Sequence, residues 1–179
     1  FVPGGCTATP TTANIADFRS LLTTLRGFID GTYIPDVLAV AGAFPDWYGI
    51  GGTGDGNLLS YGVFDLDSAG TTKLFASGTL TGGSLLALDQ TKIFEKVKCS
   101  YYSSATHLHP SAGVTTPDAY KAGAYSWTKA PRYGGLKHEV GPLARMWING
   151  DYTNGVSVID REAARALECK KVADAMDGW

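Results

Sequence analysis

Cysteine is scarce in this chain and never paired. Cys6, Cys99 and Cys169 lie far apart among 179 residues, and no C-x-x-C exists. An odd, scattered set builds no disulfide framework and no paired-thiolate metal site. Small buried apolar residues are the expected role of all three. One-sided charge is also missing: 15 Lys and Arg stand against 17 Asp and Glu, for a net charge of −2. That excludes the electrostatic footprint of a nucleic-acid or anionic-membrane binder. Basic residues gather only at Lys92, Lys96 and Lys98. No run of about 18 apolar residues occurs, so no direct membrane insertion is expected. The opening FVPGG lacks a Met and a basic n-region, so it reads as the start of an internal fragment without a signal peptide. Gly-x-Ser-x-Gly is absent, and no Ser-His-Asp or Cys-His set is legible.

What is present is an ordinary globular composition. With 44% hydrophobic and 18% charged residues, the chain is no disordered tail. Its length allows one domain with a sizeable core. The 23 glycines point to many turns and close backbone approaches.

After an irregular lead-in over residues 1–11, a helix is expected from Asn14, its cap, to Gly31, its stop. Ile15, Phe18, Leu22, Leu25 and Ile29 recur on one face. A second helix is expected from Pro35 to the stop at Pro45. It is apolar nearly all round, which implies burial on most sides. The run GIGGTGDG (49–56) lacks GK[ST] and is followed by strand-like residues, so it is no phosphate loop. Segments 58–64, 73–80 and 84–89 read as strands of one small antiparallel sheet. Asp65 and Asp67 read as a turn approach. Ile93 and Val97, four apart, predict a short helical turn. Residues 103–124 are polar and turn-rich, and His107 and His109 read as exposed loop histidines. Asp160 is the expected cap of a last, Ala-rich helix ending at Gly178. Its apolar residues form no narrow stripe, so it should bridge several elements. The fold class is therefore α+β. It comprises two N-terminal helices, a small antiparallel sheet, an irregular loop region and a C-terminal helix. The chain divides into 1–48 helical, 49–90 Gly-rich turns and sheet, 91–150 loops and 151–179 helix, all as a single fragment of a larger domain.

One stretch stands apart: YSWTKAPRYGGLKHEVGPLARM, from Tyr125 to Met146. Pro131 and Pro142 fix their own φ, and Gly134-Gly135 supplies a turn, so the stretch reads as arm, turn, arm. Its charges, Lys129, Arg132, Glu139 and Arg145 above all, could form an ion-pair network at an interface. Arg132 and Glu139, either side of the turn, are expected to face each other or a common partner.

TKAPRY followed by EVGPLAR resembles the central segment of the large, catalytic subunit of nickel–iron hydrogenases. Upstream, Ile93, Glu95 and Val97 with Ser100, Tyr101 and Tyr102 resemble that family's I-x-E-x-V-x-x-S-aromatic-aromatic segment. The family often has a histidine where Cys99 stands here. PGGCTATPT and GNLLSYGVF resemble its middle section as well, so the resemblance spans nearly the whole chain. The family's two metal-binding cysteine motifs, RxCGxC and DPCxxCxxH, are both missing.

The resemblance implies the central segment of a larger, mostly helical subunit. The intact protein would oxidise H2 reversibly at a nickel–iron centre with carbonyl and cyanide ligands. Parts of the subunit outside this chain would hold that centre, and an iron–sulfur small subunit would take the electrons. This chain alone would be inactive and would contribute no metal ligand and no catalytic residue. Lys129, Arg132, Glu139 and Arg145 would buttress the loops that carry the metal. A periplasmic, membrane-associated location follows from the resemblance only. Two other readings stay open: a hydrogenase-related quinone-reducing subunit of a respiratory complex, and a non-catalytic Gly-rich binding module.

Overall fold

The computed structural model describes residues 8–52, 56–103, 107–112 and 116–179. Cys6, most of the expected lead-in and the middle of the 49–56 glycine run lie outside the described residues. By its contacts the chain divides into two units, residues 1–51 with 157–179, and residues 52–156.

The first unit is helical. α1 spans Thr12–Phe28. Thr11, not Asn14, is its cap: the Thr11 hydroxyl accepts from the Asn14 amide, while the Asn14 side chain accepts from Thr11 N–H. Asn14 is the third residue of a capping box, which satisfies two helix-end donors together. Gly31 does not stop the helix. A π-helical turn, Ile29–Tyr33, carries it directly into α2, Ile34–Ala43. The extra residue of such a turn shifts the helical phase. Leu22, Ile29 and Ala41 are thereby all buried, along a rod whose two halves both pack on the last helix. α2 starts beside Pro35 as expected, but within this chain only Ala41 of α2 is buried; Leu38, Val40 and Phe44 are open. A short 3₁₀ turn, Pro45–Gly49, follows, with Phe44 stacked on Trp47 at 4.7 Å.

The second unit carries β1 (Leu58–Ser60), β2 (Val63–Asp65), β3 (Lys73–Phe75), β4 (Gly78–Thr81) and β5 (Ser84–Leu86). They form two sheets rather than one: β1-β4-β5 and β2-β3, all antiparallel. The single strand expected over 58–64 is broken where Gly62 takes φ +89°, and Phe64 beyond it takes φ +64°. Those conformations turn the chain out of the first sheet and into the second. Asp65 and Asp67 do lie at a turn. Lys73 pairs with Asp65, and the Asp67 carboxylate accepts from the backbone of Ala69, Thr71 and Thr72 and from the Thr71 hydroxyl.

β6, Ile93–Lys96, replaces the helical turn expected there, because its β-branched and aromatic residues pair along β7, Ala130–Tyr133. α3, Pro142–Ile148, then packs on β1, β3 and β4, burying Leu143, Ala144, Met146 and Ile148 with Leu58 and Phe75.

α4, Val158–Ala175, closes the helical unit and touches α1, the π turn, α2 and the 3₁₀ turn, so it bridges several elements as its pattern implied. Its cap is Ser157, not Asp160. Asp160 is again the third residue of a capping box, and both residues are buried. A 3₁₀ turn, Met176–Gly178, ends it.

Candidate functional site

The 125–146 stretch does run as arm, turn and arm, but its arms separate. The first arm forms β7 and pairs with β6 in the register Ile93–Tyr133, Phe94–Arg132, Glu95–Pro131 and Lys96–Ala130. Gly134 and Gly135 turn the chain at φ +55° and +83°, a region that residues with a Cβ rarely enter. The Gly134 amide donates to the Lys92 carbonyl at 2.8 Å, so the turn is tied back to the foot of β6. The second arm bridges the first only at Tyr133–Leu136 and then crosses to β1. There Glu139 donates its amide to Asn57 O at 2.9 Å and accepts from Leu59 N at 2.8 Å. Pro142 opens α3, which carries Arg145.

This path rearranges the expected ion pairing. Arg132 lies opposite Phe94, and its guanidinium donates to the Pro131 carbonyl at 2.7 Å. Arg132 and Glu139, expected to face each other or a common partner, sit on arms that separate, and the pair that closes on the strands is another one. Lys129 Nζ meets Glu95 Oε2 at 2.7 Å, with the two side chains only 24% and 26% exposed. The reason is strand partnership: β7 pairs with β6 rather than with the second arm, so Lys129, just before β7, meets a β6 carboxylate. A charge-assisted bond that is three-quarters shielded is worth more than a surface pair. Lys129 also lies 5.7 Å from the Tyr102 ring centre. Four sequence-derived residues therefore divide: Lys129 joins the β6 carboxylate, Arg132 and Glu139 sit on separating arms, and Arg145 lies half-buried on α3.

Several residues that fix the site lie in the quoted stretches but were not singled out as candidates: Tyr133 in TKAPRY, Asn57 in GNLLSYGVF, and His138 in the second arm. Tyr133 is buried, and its hydroxyl accepts from the Asp89 amide at 3.0 Å. The His138 ring packs edge-on to Tyr133, and its Nε2 lies 2.8 Å from the Thr81 hydroxyl. Asn57, buried at the end of the glycine run, accepts from Gly82 N and donates to Lys137 O, joining the β4–β5 turn to the second arm. Cavities flank Tyr133 on both sides. One of about 190 Å³ is lined by Leu59, Ile93, Arg132, His138 and Val140, and one of about 510 Å³ by Thr81, Leu86, Lys92 and Leu136.

The segment from Val97 to Tyr102 is held by a residue no pattern marked. Lys121 Nζ donates to the carbonyls of Val97 at 2.7 Å and Tyr102 at 2.6 Å. Buried Ser100 donates to Thr128 O, and the Tyr101 amide to Ser126 O. Trp127 packs against both Tyr101 and Tyr102. The two stretches singled out in the sequence, 93–102 and 125–146, are thus stitched into one construction within this unit. His107, exposed as expected, stacks on Phe94 at 4.4 Å; His109 is half-buried, with Ser111 and Gln90 as its partners. At two turns of this unit, Thr91 and Thr71 N–H and hydroxyl donors hold Asp89 and Asp67 below the usual carboxylate range.

Comparison with known proteins now fits this geometry. Residues 1–157 match the family model of the nickel-dependent hydrogenases. The periplasmic [NiFeSe] hydrogenase large subunit of Desulfomicrobium baculatum is 33% identical over 178 residues, 98% of this chain and 34% of that protein. The uptake hydrogenase large subunit of Azotobacter chroococcum mcd 1 is also 33% identical, over 86% of this chain and 35% of that protein. Among solved structures, the reduced Ni-Fe-Se hydrogenase of D. vulgaris Hildenborough superposes with a TM-score of 0.89 at 33% identity, covering 98% of this chain and 42% of its counterpart. The chain thus spans about a third of the length of the curated relatives it matches. It belongs to the nickel-dependent hydrogenase family.

Proposed function

We propose that the chain is the central segment of a hydrogenase large subunit, a fragment of a larger domain that oxidises H2 reversibly in the intact complex. The observation that carries this reading is the joined pair of stretches 93–102 and 125–146, the same two stretches whose residues resemble the family, in a chain that matches its relatives nearly end to end. The remainder of the large subunit and an iron–sulfur small subunit are the partners this reading requires. A periplasmic, membrane-associated location is part of the same reading; the D. baculatum relative is periplasmic, and no described helix here is long and apolar enough to cross a membrane.

The described residues do not themselves fit a nickel–iron centre. Among them no group of three or more His, Cys, Asp or Glu side chains lies where it could hold a metal ion. The centre, with its carbonyl and cyanide ligands, is assigned to parts of the subunit outside this chain. What this chain supplies is support. Lys129 fixes β7 to β6 through Glu95, Glu139 fixes the second arm to β1 through its backbone, and half-buried Arg145 sits on α3, which packs on β1, β3 and β4. Arg132 holds a planar donor fork at the edge of the 190 Å³ cavity, a geometry suited to a carboxylate that Lys would not reproduce. Groups that orient metal-bearing loops from behind are worth about 10–100-fold in activity or metal affinity.

The test is hydrogen oxidation and nickel content of the full enzyme carrying Arg132→Lys or Lys129→Gln, the second of which breaks the pair with Glu95. A clear fall in activity is expected for both. Near wild-type activity and nickel in both variants would reduce the stretch to surface decoration.

A further inference from the structure

The backbone nitrogen that follows an asparagine can attack that asparagine's own side-chain carbonyl carbon. A following glycine, with no Cβ, obstructs the approach least. The attack is intramolecular, so its rate is set by how freely the two atoms reach the reacting geometry. Among the described residues, asparagine or aspartate precedes glycine at Asp30, Asn149, Asn154 and Asp177. The fold treats these positions unequally.

Three are pinned. Asp30 lies in the π-helical turn, and both its carboxylate oxygens accept from Lys170, at 2.9 and 3.0 Å. Asp177 lies in the last 3₁₀ turn and pairs with Arg26 at 2.6 Å. Asn149 is held at both ends of its amide: Oδ1 accepts from the Ala76 amide at 2.9 Å, and Nδ2 donates to Asp151 at 2.8 Å. Its backbone is helical, at φ −79° and ψ −11°. The Gly150 amide, which would have to attack, already donates to Trp147 O at 3.0 Å. Reaction at Asn149 must first break these bonds.

Asn154 differs in every respect. It is exposed and stands in a bend outside every helix and strand. Among the described residues no hydrogen bond holds its side chain or engages the Gly155 amide. The nitrogen and the carbon it must reach are both unrestrained.

We propose that Asn154 is a site of spontaneous deamidation, with Asn149 as its protected counterpart in the same connection. The Gly155 nitrogen bonds to Asn154 Cγ, the Cγ–Nδ2 bond breaks, and the departing nitrogen takes up the Gly155 amide proton and leaves as ammonia. Water then opens the cyclic imide at either carbonyl, giving aspartate or isoaspartate. Nothing is oxidised or reduced, and water is the only co-reactant. Either product adds one negative charge at neutral pH to a chain of net charge −2. The site needs no metal and no partner, so it stands apart from the hydrogenase reading.

The experiment holds the intact large subunit, in its complex, in mildly alkaline buffer. Samples are digested and mapped by mass spectrometry, and isoaspartate is counted by enzymatic methyl transfer. Asn154 should convert at least about tenfold faster than Asn149, whose reaction waits for local opening. In denaturant, where the bonds to Asn149 are gone, the two should convert at comparable rates. The acidic variant that accumulates should be missing from Asn154→Gln, which keeps the amide but cannot close the same ring. An Asn154 that stays an amide in the native complex would overturn the proposal, as would equal native rates at the two positions. A gap that persists in denaturant, or the same acidic variant in Asn154→Gln, would overturn it too.

Discussion

In the unit built from residues 8–51 and 157–179, order comes from helix ends and apolar faces. In residues 56–156 it comes from polar side chains that reach distant backbone groups. The helical unit uses two capping boxes, at Thr11 and Ser157, and a small cluster of Leu22, Ile29 and Ala173. The other unit has short strands of three or four residues, and its long connections are pinned by Lys121, Asn57, Ser100 and Tyr133. Apolar faces are non-directional and accept any complementary surface. Polar pins have one geometry and lose most of their worth when displaced. The helical unit should therefore depend on what covers it, and the other on a few single residues.

The largest expected effect separates the two directly. The isolated 179 residues are expected to give no cooperative melt as a compact monomer, because Leu21, Phe28, Leu38 and Val40 remain in water. Size-exclusion chromatography and calorimetry check this. A sharp two-state transition of a monomer would remove the first half of the comparison.

Next comes the polar pin. Lys121→Met in the intact subunit removes two charge-assisted bonds to Val97 O and Tyr102 O and is expected to loosen the 97–102 segment by about 2–3 kcal/mol. Amide exchange at Tyr101, Asp118 and Tyr125, whose hydrogen bonds close this segment, should speed up at least tenfold. Unchanged exchange there would mean that the aromatic packing of Trp127 suffices alone.

A third test compares helix ends. The Ser157–Asp160 box is buried, whereas the Thr11–Asn14 box is exposed. Ser157→Ala is accordingly expected to cost about 2 kcal/mol and Thr11→Ala about 0.5 kcal/mol, the two ends of the range for lost caps. Chemical denaturation of the intact subunit with each substitution measures the difference, and equal costs would show that burial does not strengthen a cap here.

How much of this was legible in the sequence follows the same division. The helices were visible because periodicity and caps are local, though both caps were misplaced by three residues. Asn14 and Asp160 look like caps, and only the partner three positions earlier shows that each is the far half of a box. The continuity through Gly31 was hidden, since a glycine after a helical run normally marks its end. In the other unit the special stretches were found by their resemblance and by the density of Pro, Gly and charge. Their pairing was not, because whether β7 meets β6 or its own second arm is settled by contacts more than thirty residues apart. For the same reason Lys129 was singled out without its partner Glu95, and Lys121 was not singled out at all.

The smallest effect concerns the Asp67 turn, where the polar principle operates on the surface. Thr71 and Thr72 amides and the Thr71 hydroxyl all donate to one carboxylate, holding Asp67 well below the usual carboxylate range. A carboxyl whose folded value is depressed binds its proton more weakly than the unfolded chain does. Its contribution is therefore complete above the unfolded value, about pH 4, and drains away as the pH falls toward the folded value. The Thr71 and Thr72 amide resonances should stay constant on acidification past about pH 4, where ordinary carboxylates have already titrated. Asp67→Asn should shift both amides at every pH, because an amide side chain offers one acceptor oxygen where the carboxylate offers two. The neighbouring Asp65–Lys73 pair gives an internal control, since it touches neither threonine amide. A Thr72 amide that moves with an ordinary carboxylate midpoint would show that the turn is held by its strands, β2 and β3, and not by Asp67.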